Sequence, residues 1–87
     1  MRRVDLSGAN LVEANFAGAD AKGANFRDAD FDRANLDGTI LTGADLTGAR
    51  NLTAKQLACA MIDETTILPD YIDRASVQAL RAEANPA

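Results

Sequence analysis

From Val4 to Arg50 the chain repeats every five residues: VDLSG, ANLVE, ANFAG, ADAKG, ANFRD, ADFDR, ANLDG, TILTG, ADLTG and a closing AR. A period of five matches no regular element. On an α-helix of about 3.6 residues per turn, steps of five scatter large apolar side chains around the cylinder. On a flat strand, where side chains alternate faces, each such step flips them to the opposite side. One apolar stripe survives only where the chain turns a corner once per unit and coils. The period therefore predicts a solenoid whose units stack on their neighbours.

The register can be counted. Leu6, Leu11, Phe16, Phe26, Phe31, Leu36, Leu41 and Leu46 fill eight of nine unit centres, and Ala21 fills the ninth. These eight are the expected core. Two positions before the centre, eight of ten residues are Ala, with Val4 and Thr39 as departures. One position before it, eight of ten are Asp or Asn, with Ile40 and Arg50 as departures. All six glycines stand two positions after a centre. Alanine lets the walls of a narrow coil approach, Asp and Asn hydrogen-bond local backbone in turns, and Gly relieves the corner.

The run A-[DN]-[LF]-x-x resembles the pentapeptide-repeat family, from Val4 to Arg50. The resemblance implies a right-handed quadrilateral β-helix of twenty residues per coil, so the expected fold is an all-β solenoid of about two coils with an α-helical tail. Twenty-residue coils would stack Leu6, Phe26 and Leu46 in one column, Leu11 on Phe31, and Phe16 on Leu36. Ala21 under Leu41 is the weak column, and Met1 is in register to fill its space. Val4, Leu6 and Leu11 are expected to face outward from an uncapped first coil.

The repeat breaks at Asn51, where a polar residue takes the next centre. We divide the chain at that point into a repeat region, 1–51, and a helical cap and tail, 52–87, within one compact domain. Leu52, Thr53, Gln56 and Leu57 read as a helix start: Thr53 caps, Gln56 completes a capping box, and the two leucines form a hydrophobic staple. That helix should run from Ala54 to about Ile62, cover the open end of the last coil, and bury Cys59 as a small apolar residue. Residues Asp63 to Pro69 should lie extended along a coil face, with Ile67 or Leu68 covering Ile40. Asp70 or Asp73 should cap a second helix ending before Pro86, with Ile72, Val77, Leu80 and Ala84 on its apolar side. The asparagine of Asn51-Leu52-Thr53 matches a glycosylation acceptor, but the capping role of Thr53 accounts for that spacing.

Chemistry finds little footing here. Histidine is absent and Cys59 is the single cysteine, so neither a Ser–His–Asp arrangement nor an internal disulfide can be built. No metal-ligand spacing appears, and the glycines recur singly instead of forming a phosphate-binding loop. Asp30 and Asp32 are close in sequence, yet the first holds a turn position and the second an outer wall. The reading is a protein without catalytic or cofactor-binding residues. No apolar run is long enough to span a membrane, which points to a cytoplasmic protein.

The leading expectation is a small protein-interaction or scaffold module with an unidentified protein partner. Its candidate surface is the outer face bearing Asn10, Glu13, Asp30, Asp32 and Arg33. The family resemblance also implies an alternative, since some members imitate duplex DNA and bind DNA gyrase. The net charge of −4 has the right sign. Duplex DNA, however, carries about one charge per 1.7 Å, and Lys22, Arg27 and Arg33 interrupt so short a stack. Direct nucleic-acid binding lacks a basic stripe. Two further expectations are a homodimer through an open coil end or the C-terminal helix, and a chain that is the C-terminal piece of a longer repeat protein.

Overall fold

The computed structural model describes residues 4–84. Its repeat region coils in steps of twenty. Asp5, Asn10, Asn15 and Asp20 form parallel bridges with Asn25, Asp30, Asn35 and Ile40, and Asn25 and Asp30 bridge onward to Asp45 and Arg50. Each coil therefore has four sides of five residues. Among the described residues each side contributes a single isolated bridge and no longer strand. The expectation of an all-β solenoid is corrected to that extent. The reason is local: each side is five residues long and turns at both ends. The backbone bonds to the next coil, such as those from Leu6 N–H to the Asn25 carbonyl and Gly8 N–H to that of Arg27, both at 2.7 Å, therefore do not run on into a longer strand.

The corners follow one plan. The residue after each corner donates back across it, as in Ala9 N–H to the Leu6 carbonyl at 3.0 Å and Ala29 N–H to that of Phe26 at 3.1 Å. The third corner residue takes positive φ, as in type II turns. Gly48 does so at +71°, and Glu13, Asp28 and Arg33 do so without glycine's freedom, at 60°, 60° and 57°. The Asp or Asn before each centre accepts from the N–H two residues on. Asn25 Oδ1 takes Arg27 N–H at 3.0 Å, and Asn35 Oδ1 takes Asp37 N–H at 3.0 Å.

The core lies along the coil axis. Phe16, Phe26, Phe31, Leu36, Leu41 and Leu46 are buried, while Leu6 and Leu11 are half-buried against them. Phe26 is the hub: its ring meets Phe16 at 6.1 Å and 82°, and Phe31 at 5.3 Å and 62°. Such edge-on pairs add about 0.5–1.5 kcal/mol beyond burial. Val4, expected to face outward with Leu6 and Leu11, also packs half-buried against this core. Ala21 is fully buried; Met1, proposed as its neighbour, lies outside the described residues. Thr39, which breaks the alanine rule, is fully buried and donates its hydroxyl to the Phe16 carbonyl at 2.7 Å.

After Asn51, helix α1 (Ala54–Cys59) replaces one side of a third coil. The Thr53–Gln56 capping box is present, and the staple leucines Leu52 and Leu57 are buried. The helix stops at Cys59, before the expected Ile62, because the chain must extend for Met61 to bridge Ile40. Cys59 is exposed, against expectation. It follows Leu57 by two residues, roughly 200° around the helix, so burying one turns the other outward. Met61, beyond the end of the helix, is 51% exposed.

The chain then supplies another coil side. Ile67 bridges Asp45, so it does not cover Ile40; Met61 lies beside Ile40 instead. Thr66 is fully buried and donates to the Leu41 carbonyl at 2.9 Å, repeating the role of Thr39. Helix α2 (Arg74–Ala84) packs on α1. Asp73 caps it, accepting from Ala75 N–H at 2.9 Å, and Asp70 takes no part. Val77 is buried, with Ile72 and Leu80 half-buried, as the apolar stripe predicts. Pro86 and the Ala84 side chain lie outside the described residues.

Candidate interaction surface

The five surface residues come together on one side of the coil, but they divide into two groups. Asn10 and Asp30 form a bridge, and their carboxamide and carboxylate serve the turns. Asn10 Oδ1 accepts from Val12 N–H at 3.1 Å; Asp30 Oδ1 accepts from Asp32 N–H at 3.1 Å and Asn51 Nδ2 at 3.0 Å. The Asn51 amide is the main reason the Asp30 carboxyl lies below its ordinary value, helped by the Asp32 N–H and Arg50. These two side chains therefore build the face and are not free to recruit a partner.

Glu13, Asp32 and Arg33 form the second group. Arg33 lies 3.7 Å from both Glu13 and Asp32, with its side chain 68% exposed. Glu13 and Arg33 occupy equivalent corners of successive coils, twenty residues apart, where positive φ turns both side chains into solvent. Pairs this exposed contribute little to stability, about 0–1 kcal/mol. Their value is an ordered face of alternating sign on a stiff backbone.

A second constellation escapes sequence reasoning. In the coils, the carbonyl two positions before each centre accepts an N–H from the coil above: Ala9 from Asp30 at 3.0 Å, Ala14 from Asn35 at 2.8 Å, Ala29 from Arg50 at 2.7 Å. The last coil presents the same carbonyl on Ala34, Thr39, Ala44 and Ala49, and the tail meets all four. Gln56 Nε2 reaches Ala34 at 3.0 Å, and also Phe31 at 2.9 Å. The N–H groups of Met61 and Ile67 reach Thr39 and Ala44 at 2.8 and 2.9 Å. The Tyr71 hydroxyl donates to Ala49 and accepts from Leu52 N–H at 3.2 Å. Arg74 ties this tail together, donating to the carbonyls of Asp63 and Thr66. Only the capping role of Gln56 was legible in the sequence; a polar side chain spaced for the missing ladder donors was the available signal.

Among the described residues no group of His, Cys, Asp or Glu could hold a metal ion, and every buried side-chain polar atom has a partner. A shallow groove of 230 Å³ runs between α1 and the coil side at Ala34–Asp37, with Lys55 and Cys59 on its rim.

A family model for pentapeptide repeats matches eight copies, over residues 1–38 and 9–48. The chain belongs to the pentapeptide-repeat family. No curated protein matches the sequence. Among solved structures, this pentapeptide-repeat chain is similar to the crystal structure of a pentapeptide repeat protein, Rfr23, from the cyanobacterium Cyanothece 51142. The two share 30% identity at a TM-score of 0.68, over 78% of this chain and 46% of that one. This chain thus matches less than half the length of that relative. No helix among the described residues is long and apolar enough to cross a membrane.

Proposed function

We propose that this pentapeptide-repeat chain is a non-enzymatic protein-interaction module that presents Glu13, Asp32 and Arg33 to a protein partner. The observation that supports it is Arg33 standing between two carboxylates on adjacent corners of a rigid coil. A face of alternating sign selects a partner of complementary alternation and rejects a uniformly charged one. The same pairing argues against imitation of duplex DNA, which needs an unbroken negative track, as does the pairing of Arg27 with Asp45 at 3.3 Å. A cytoplasmic setting suits the exposed lone thiol of Cys59.

The test is capture of partners from the host extract with the intact chain and with the Glu13→Lys/Arg33→Glu variant. A control variant, Lys22→Glu/Asp37→Lys, alters other sides of the coil. Partners held by the intact chain and the control, but lost from the first variant, support the reading. Partners retained equally by all three proteins sink it.

A further inference from the structure

Helix α2 and the segment ahead of it form a recess of 540 Å³, within the usual range of a ligand site, about 300–1,000 Å³. Arg74, Gln78 and Arg81 stand at i, i+4 and i+7, so they share one face of the helix. All three line the recess, together with Asp63 and Glu64 from the preceding segment. We infer that this recess binds the C-terminal carboxylate of a partner protein whose last side chain is apolar.

The inference turns on how the polar groups are employed. Arg74 donates to the Asp63 carbonyl at 2.9 Å and to the Thr66 carbonyl. The Asp63 carboxylate accepts from Thr65 N–H at 3.0 Å. These groups build the wall. Arg81, Gln78 and Glu64 take no hydrogen bond or ion pair among the described residues, although Arg81 is partly buried. A guanidinium matches a carboxylate with two parallel bonds, and the Gln78 amide is a further donor on the same face. The carbonyls of Asp63 and Thr66 already serve Arg74, which leaves the acceptor for Arg81 to a ligand.

A chain end suits the site better than an acidic run. Asp63 and Glu64 bring two negative charges into the same recess as the two arginines, and they repel a succession of acidic residues. A single carboxylate on Arg81 leaves Glu64 to accept a backbone N–H from the residue upstream. Val77 is 1% exposed and Ile62 partly buried, so an apolar last side chain meets apolar wall. That wall is set in advance: Thr66 is fully buried, and its hydroxyl accepts from Asp63 N–H at 3.1 Å. A preformed site spares the cost of ordering it on binding. The recess shares no residue with the Glu13, Asp32 and Arg33 face and does not depend on that face binding anything.

The probes are acetyl-Gly-Gly-Leu as the free acid and as its C-terminal amide, titrated into the intact chain and followed by two-dimensional NMR. The free acid should shift the Gln78 and Arg81 side-chain resonances saturably at millimolar concentration or below, and the amide should bind about tenfold more weakly. Acetyl-Asp-Asp-Leu should also bind more weakly than acetyl-Gly-Gly-Leu, and Glu64→Gln should narrow that gap. Arg81→Gln should weaken binding of the free acid about tenfold; a melting curve checks that this variant is folded. Equal binding of acid and amide overturns the proposal, as does an unchanged affinity in folded Arg81→Gln or the absence of any saturable shift. Tighter binding of the acidic peptide overturns it too and assigns the recess to acidic runs. Should Arg81→Gln not fold, the comparison of acid and amide on the intact chain decides.

Discussion

The side-chain amide of Gln56 donates to the carbonyl of Ala34 at 3.0 Å, standing where the lower coils place a backbone N–H from the coil above. The same residue accepts from Thr53 N–H at 2.8 Å, so one side chain closes both a helix start and a β-coil edge. This double use makes Gln56 more than a helix-capping residue.

Replacing it should separate the two roles. Gln56→Glu keeps an acceptor for Thr53 but turns a carboxylate toward the carbonyls of Phe31 and Ala34. It should therefore be less stable than Gln56→Ala, which itself should lose about 2 kcal/mol. Urea unfolding of the two variants checks the order; equal stabilities would mean the edge bonds contribute nothing.

Phe26 sets the core. It is 1% exposed and touches aromatic rings on two sides. Phe26→Ala should cost about 3–5 kcal/mol, close to the whole stability of a domain this small. Thermal unfolding followed by circular dichroism would show it as a melting transition near or below ambient temperature.

The corner glycines should not be equivalent. A Cβ on Gly48 would stand 2.3 Å from Asp28 Oδ1, whereas one on Gly18 meets nothing within 4 Å; both backbones sit at φ +71°. Gly18→Ala should cost about 1 kcal/mol from backbone strain alone, and Gly48→Ala somewhat more. Asp28→Ala in the Gly48→Ala background should recover the difference. Denaturant midpoints for the three variants provide the measurement.

Acid should destabilise the fold through its turn carboxylates. Hydrogen bonds from Ser7 to Asp5, from Asn51 to Asp30 and from Thr65 to Asp63 hold these carboxyls below their ordinary 3.8. At Asp45 burial pushes upward, but the Thr47 hydroxyl and N–H and the Arg27 guanidinium outweigh it. A lowered folded value means that the unfolded chain binds protons first as pH falls. The contribution is complete above the unfolded value of about 3.9 and disappears as pH drops through the folded values. Stability should hold steady down to about pH 5 and fall below about pH 4. Asp45→Asn, which keeps an acceptor for Thr47, should make the acid limb shallower in a pH series of urea titrations.

Cys59 should react in the native state. Its exposure predicts complete modification by a thiol reagent at a rate unchanged by mild denaturant. A rate limited by unfolding would mean that the thiol is covered in solution.

Much of this was legible because the repeat is a local code. The centres from Phe16 to Leu46, the Asp and Asn turn acceptors, the capping box and the staple each depend on residues at most five apart, so spacing alone exposes them. The reading of the length of α1 failed because the coil edge captures Met61 and ends the helix early, and the same bridge sets Met61 beside Ile40. Cys59 is exposed because Leu57 takes the buried side of the helix. At the candidate surface, spacing brought Glu13 and Arg33 to one face. The turn roles of Asn10 and Asp30 were legible as well, but the further hydrogen bond from Asn51 to Asp30 was not.

By itself the sequence determined the five-residue period, the core centres and the chemistry of the corners, while the twenty-residue register followed from the family resemblance and stands in the bridges between coils. A short-range pattern repeated this often leaves the backbone one way to keep its apolar residues on one side. Only the tertiary structure decided how the coil ends. The donors that meet Ala34, Thr39, Ala44 and Ala49 come from Gln56, Met61, Ile67 and Tyr71, each 22 or 23 residues further along. No periodicity links those pairs, because the tail does not repeat. They are chosen by which donors an irregular segment can bring to a fixed row of acceptors once the coil has formed beneath it.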